Sequence, residues 1–78
     1  MKYLICEDFS GDVIPILFPE RILHEEIREQ IPYSKVVSGG YVFLKDGKFI
    51  CKGRVKELNI SARDEDAEII NRFFIISE

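Results

Sequence analysis

The chain has 78 residues, of which 46% are hydrophobic, and a formal net charge of −3. This length allows a single domain over residues 1–78, and the hydrophobic fraction excludes an intrinsically disordered chain. The negative charge argues against non-specific binding to nucleic acid or to an anionic membrane, and no apolar run approaches a membrane span in length.

The first elements predicted along the chain are two strands. Lys2–Cys6 and Val13–Phe18 are rich in residues that favour β-structure. The polar segment between them contains Gly11 and is predicted to be a loop. Because Pro15 has no amide donor, we expect the second strand to lie at an edge of its sheet or to carry a bulge.

A helix is predicted next. Pro19 is expected to open it, because the fixed φ of proline suits the first helical turn. An apolar stripe at a spacing of four along Glu20–Gln30 is formed by Leu23, Ile27 and Ile31. Pro32 is expected to end the helix, since the residue before a proline avoids helical angles.

The clearest local signal is a β-hairpin. Asp46-Gly47 separates the strand-like segments Tyr41–Lys45 and Lys48–Lys52, and this dipeptide favours a two-residue type I′ turn. Such a turn fixes the register of the hairpin. The predicted pairs are Lys45 with Lys48, Leu44 with Phe49, Phe43 with Ile50, Val42 with Cys51, and Tyr41 with Lys52.

This register gives the hairpin two different faces. One face is apolar and is predicted to belong to the core; it carries Val42, Leu44, Phe49 and Cys51. Gly40 and Gly53 face each other on that side and are expected to let another element approach closely. The other face carries the six residues of our candidate binding surface, here called the hairpin face: Tyr41, Phe43, Lys45, Lys48, Ile50 and Lys52.

Three uses of the hairpin face are consistent with its composition. Its apolar side chains can bury themselves in a partner protein, including a second copy, with the lysine stems covering the rim. Its aromatic rings and lysines can instead stack bases and hold phosphates of a nucleic acid. Alternatively, a helix of the same chain covers this face as ordinary internal packing.

The last third of the chain is predicted to add a strand and a helix. Arg54–Ile60 is expected to continue the second hairpin strand through a bend. Ser61 is expected to cap a following helix, whose apolar positions have helical spacing: Ala67, Ile70, Phe73 and Phe74. The tail 72–77 is expected either to continue this helix or to leave it as a short strand. The elements together predict an α+β fold in the order ββαββα, an antiparallel sheet of two β-hairpins with both helices on one face.

Charge is unevenly distributed along the chain. Residues 45–56 contain five basic side chains and one acid, whereas acids gather at Glu20–Glu29 and Asp64–Glu68. A basic hairpin between acidic helices is self-complementary in a homodimer. The simpler interpretation is that these are ordinary solvated faces.

The sequence does not support a catalytic site or a metal site. His24-Glu25-Glu26-Ile27-Arg28 begins like a zinc-protease helix, but Arg28 stands where the second histidine is required. Cys6 and Cys51 belong to no Cys-x-x-Cys pair, and no signal peptide precedes them, so we expect two free thiols in a reducing cytoplasm. We predict no catalytic residue, no metal and no cofactor, and hence a protein that is not an enzyme.

Three short segments resemble parts of small bacterial proteins associated with prophage regions. They are Val13–Pro19, Val36–Val42 and Ala62–Ile70. The resemblance implies a small accessory protein of phage or prophage origin, and it carries no functional residue over to this chain. We therefore expect an accessory or interaction protein that contacts itself, as a homodimer, or another protein, through edge-strand pairing or the hairpin face. Nucleic-acid binding through the basic hairpin is the alternative, and no membrane is expected as a partner.

Overall fold

A computed structural model describes residues 1–31 and 34–74. The elements are β1 (Lys2–Glu7), β2 (Val13–Phe18), α1 (His24–Gln30), β3 (Lys35–Lys45), β4 (Lys48–Lys52), β5 (Arg54–Val55), a 3₁₀ turn (Lys56–Leu58), β6 (Ile60–Ser61) and α2 (Asp64–Phe74). The main sheet is antiparallel with strand order β2-β1-β3-β4, and β5 pairs with β6 in a second small sheet. The predicted α+β class and the two hairpins are confirmed, and the order ββαββα holds approximately.

The two helices lie on opposite faces of the main sheet. Tyr3 and Ile5 of β1 pack with Ile70 of α2 on one face. The alternate residues Leu4 and Cys6 pack on the other face, against Ile27 and Ile31 of the predicted apolar stripe. Leu23, the third residue of that stripe, is instead 46% exposed. The expectation that both helices share one face is therefore wrong. Its physical reason is that β1 is apolar on both sides, and such a strand needs a covering layer on each.

We call these two sides of the sheet the α1 face and the α2 face. The helices have 7 and 11 residues. In the part of the chain that the structure describes, no helix is long and apolar enough to cross a membrane.

Helix α1 is shorter than predicted, because Pro19 does not open it. The amide of Ile22 donates to the carbonyl oxygen of Pro19 at 3.1 Å, which closes a separate turn before the helix. Leu23 is then extended, and its amide donates to the Glu26 carboxylate at 2.7 Å. This bond satisfies one of the amides that a helix start leaves unpaired. The helix ends at Gln30, and Pro32 lies outside the described residues.

The segment after β4 is a compact hairpin and not one continuing strand. Asn59 takes a left-handed conformation with φ of 55°, which asparagine tolerates better than most residues, and the chain reverses from β5 into β6. Ser61 lies in β6, so its predicted capping role is wrong. The carboxylate of Asp66 instead accepts the amide of Arg63 at 2.9 Å. The tail is helical as far as Phe74, and residues 75–78 lie outside the described part.

Candidate functional site

The hairpin turn adopts the predicted geometry. Asp46 has φ of 52° and Gly47 has φ of 79°, and positive φ at both central residues is the signature of a type I′ turn. All five predicted cross-strand pairs, from Lys45–Lys48 to Tyr41–Lys52, are present. The register therefore places the six residues of the hairpin face on one side of β3 and β4.

The hairpin face belongs to the α1 face of the sheet. Tyr41 pairs with Lys2, which in turn pairs with Phe18, and Phe18 packs in the cluster beneath α1. Directly opposite residues of neighbouring strands point to the same side of a sheet. The hairpin face and α1 therefore lie next to each other on one side of the molecule.

The chain itself packs against Tyr41, which is half-buried, but leaves Phe43 and Ile50 exposed. The ring of His24 meets the ring of Tyr41 edge to face at 5.8 Å. Gly53 also lies against that ring, so close that a Cβ there would be 2.7 Å from Tyr41 Cδ2. In contrast, Phe43 and Ile50 are 41% and 39% exposed. The structure thus divides the face into a packed base and an open apolar pair.

The open pair is surrounded by basic side chains. Lys45, Lys48 and Lys52 are all exposed. The ammonium of Lys52 lies 4.9 Å from the centroid of the Phe43 ring, a cation–π contact of about 0.5–1 kcal/mol at an exposed site. One surface of that ring is consequently occupied by a side chain of the same protein.

The opposite side of the hairpin is only partly core. Val42 is buried, and Phe49 and Cys51 pack against the same cluster as Ile70. Leu44, which we predicted to be core, is 67% exposed. The described part of α2 reaches Phe49, and Leu44 near the hairpin tip stays outside its cover.

His24 is a buried histidine that joins α1 to the sheet. Its Nε2–H donates to the carbonyl oxygen of Gly40 at 2.9 Å, and its ring meets Phe18 at 5.1 Å. Burial lowers the pKa of His24 below its ordinary value of 6.5, and the hydrogen bond to Gly40 opposes part of that shift. The imidazole is therefore neutral at pH 7. It packs against Phe18 and Tyr41 and donates a hydrogen bond to Gly40.

We expect the free energy of unfolding to fall as the pH is lowered below about 6.5. The unfolded chain takes up a proton on His24 near pH 6.5 while the folded chain remains neutral, so the slope reaches at most about 1.4 kcal/mol per pH unit. His24 is the only histidine, so His24→Gln, which keeps a donor without titrating, should remove this slope between pH 7 and 5.5. Urea unfolding at several pH values across that range measures the free energy of unfolding. A variant with the same slope as wild type would show that His24 is not its source.

The two cysteines lie on opposite faces of the sheet. Cys6 packs on the α1 face and Cys51 on the α2 face, and both are free thiols. Burial raises the pKa of Cys51 to about 11 and also raises the pKa of Cys6, which keeps both sulfurs protonated at neutral pH. Among residues 1–31 and 34–74, no three histidine, cysteine or acidic side chains are grouped so that they could hold a metal.

A buried polar cluster around Asp66 was not foreseen from the sequence. Asp66 is fully buried, and its carboxylate accepts the Tyr3 hydroxyl at 2.6 Å and the Ser38 hydroxyl at 2.8 Å. It also accepts the amide and Nε of Arg63 at 2.9 and 3.0 Å. Burial, followed by the bond to Asp66, raises the pKa of Tyr3. Because all four donors to the Asp66 carboxylate come from the same chain, this cluster joins α2 to the sheet and leaves that carboxylate fully occupied.

Both edges of the main sheet are partly closed to another strand. At β4, Asn71 of α2 accepts the amide of Phe49 at 2.8 Å and donates to its carbonyl oxygen at 2.9 Å. At β2, Pro15 pairs with Ile5 and has no amide to offer on its outer side. Natural sheets avoid edge-to-edge pairing by devices of this kind.

Comparison with protein families, curated proteins and solved structures finds no match to this chain.

Proposed function

We propose that this protein is a non-enzymatic interaction protein of the cytoplasm that self-associates through the hairpin face. The observation that carries the proposal is the open pair Phe43 and Ile50, directly opposite each other and both more than a third exposed. A central apolar pair with a rim of exposed lysines has the arrangement of a protein contact, with an apolar centre and a polar rim.

Because both edges of the main sheet are partly closed, association through the hairpin face is favoured over pairing between edge strands. Asn71 occupies the outward backbone groups of Phe49 on β4, and Pro15 interrupts the donors of β2. At β4 an incoming strand would have to displace Asn71, and at β2 it would lack the hydrogen bond that Pro15 cannot donate. Of the two contacts expected from the sequence, the hairpin face is therefore the one we propose.

Replacing Phe43 or Ile50 with threonine should weaken dimerisation by about tenfold to a hundredfold, the range for truncating an anchor at an interface. Threonine is β-branched and has a high strand propensity, so both substitutions preserve the tendency of the segment to form a strand. Leu44→Thr is the matched control, because Leu44 neighbours Phe43 on β3, points to the other face and is 67% exposed. Sedimentation velocity over a range of concentrations measures the effect. A wild-type protein that remains monomeric at several hundred micromolar would refute self-association.

The alternative is nucleic-acid binding through the same basic face. Base stacking needs a free aromatic surface, but Lys52 lies over Phe43 and Tyr41 is packed against His24. This geometry weighs against stacking, although the lysines remain available to phosphates. Fluorescence anisotropy with single-stranded DNA and RNA at two salt concentrations tests the alternative, because phosphate contacts are strongest at low salt. Absent binding at low salt would exclude it.

From the resemblance of the three sequence segments alone, we also propose a phage or prophage origin for this accessory protein. The proposal predicts that phage genes flank its own gene. Inspection of the surrounding genes tests it, and a neighbourhood without any phage gene would contradict it.

A further inference from the structure

We propose that the hairpin face binds helix α1 of a second copy, and that the two copies exchange this contact reciprocally about a two-fold axis. The inference rests on the proposed self-association and specifies which surface of the partner fills the face. The contact would bring the lysines of one copy against the acidic side chains of the other.

Of the two helices, only α1 shares a side of the molecule with the hairpin face. His24, the first residue of α1, contacts both Phe18 and Tyr41, so the helix starts where the open part of the hairpin face ends. Helix α2, which carries the other acidic segment, packs on the opposite face through Ile70. A second copy facing this side therefore meets the α1 acids and not those of α2.

Two lysines of the hairpin and two glutamates of α1 are exposed on this side and carry opposite charges. Lys45 and Lys48 are exposed at the tip of the hairpin, and Glu25 and Glu29 are exposed on α1. Within the described residues none of these four side chains has an ion-pair partner. Glu26 differs, because its carboxylate binds the amide of Leu23.

Two-fold symmetry sets a condition on such a contact. In a two-fold dimer the same patch serves both copies, so a patch must be complementary to itself. A surface with a basic half beside an acidic half meets this condition when the axis passes between the halves, close to Tyr41 and His24. Phe43 and Ile50 then supply apolar area near the centre, together with Leu23, which is 46% exposed just before α1. The lysines and glutamates form the rim.

Charge reversal tests the arrangement. The hairpin variant Lys45→Glu/Lys48→Glu and the helix variant Glu25→Lys/Glu29→Lys should each dimerise at least about tenfold more weakly than wild type, since each places like charges together at two symmetric contacts. An equimolar mixture of the two variants should dimerise again, because each hairpin then meets a helix of opposite charge. The chain carrying all four substitutions should recover its homodimer. Wild-type dimerisation should also weaken with increasing salt.

Sedimentation velocity and donor–acceptor energy transfer between labelled variants measure these outcomes. Circular dichroism of each variant confirms folding, and recovery in the mixture is an internal proof that both variants are intact. A wild-type dimer whose variants show no recovery would overturn the α1 contact while leaving self-association through the hairpin face in place. A monomeric wild type would overturn both proposals.

Discussion

Replacing Asp66 with alanine is expected to lower the free energy of unfolding by about 3–5 kcal/mol, because each buried donor left without its acceptor costs about 1–3 kcal/mol. The substitution leaves the hydroxyls of Tyr3 and Ser38 without their acceptor. It also removes one of the two ion pairs of the Arg63 guanidinium and leaves the one with Glu65. A small domain has about 5–15 kcal/mol of stability in total, so the variant should be largely unfolded at moderate denaturant. Urea unfolding followed by circular dichroism measures the loss.

Asp64→Ala is the matched control for this prediction. Asp64 lies two residues earlier in the first turn of α2 and is exposed, so its loss should cost only the small contribution of an acid near a helix start. Tyr3→Phe should be intermediate, at about 1–3 kcal/mol, because it leaves the other three hydrogen bonds of Asp66 in place. Equal stabilities for the Asp66 and Asp64 variants would show that the buried cluster does not support the fold.

Gly40→Ala is expected to cost about 3 kcal/mol, at the upper end of the usual penalty for overpacking. A Cβ at Gly40 would lie 2.7 Å from the carbonyl oxygen of Lys52 and 3.5 Å from the carbonyl carbon of Gly53. These are backbone atoms of the chain leaving β4, and they cannot rotate away as a side chain would. The added methyl must therefore separate β3 from that segment.

Gly11→Ala provides the comparison for the Gly40 variant. A Cβ at Gly11 meets nothing within 4 Å, but its φ is +87°, so the substitution measures conformational strain without a clash. We expect the Gly40 variant to be clearly the less stable of the two in thermal unfolding. A Gly40 variant as stable as the Gly11 variant would mean that β3 and the end of β4 move apart at little cost.

The sequence predicts best the elements that a local signal determines. Asp46-Gly47 specifies its turn, and the turn specifies all five cross-strand pairs of the hairpin. Pro15 likewise marks β2 as an edge strand, because a missing donor is incompatible with a central position. In both cases the determining chemistry lies within the element itself.

The opposite placement of the helices depends on contacts between distant parts of the chain. One signal in the sequence does point to it: Tyr3, Leu4, Ile5 and Cys6 are consecutive apolar residues, whereas a strand covered on one side alternates with polar residues. The burial of Asp66 has a weaker signal. It lies four residues before Ile70 and so shares its side of α2, but nothing local distinguishes it from the solvated acids beside it.

The candidate site was identified from its register, but its accessibility could not be derived that way. Register places Tyr41, Phe43 and Ile50 on one face. Only the folded chain shows that His24 and Gly53 pack against Tyr41. The exposure of Leu44 has the same origin, since it depends on how far α2 extends over the sheet. Which side chains a sheet face leaves open is decided by the length and direction of the covering helices.

The central position of β1 has a consequence for the order in which the chain can fold. This strand comes early in the described sequence, yet its residues pair with residues of β3 that lie 28 to 39 positions later, and Tyr3 meets Asp66 63 residues away. During synthesis β1 can form only its hairpin with β2 until β3 emerges, and the α2 side of the core stays open until the last helix is made. Contacts of such long sequence separation slow folding. The growing chain therefore exposes an apolar strand until β3 and α2 have been made, which is a stage at which aggregation competes with folding.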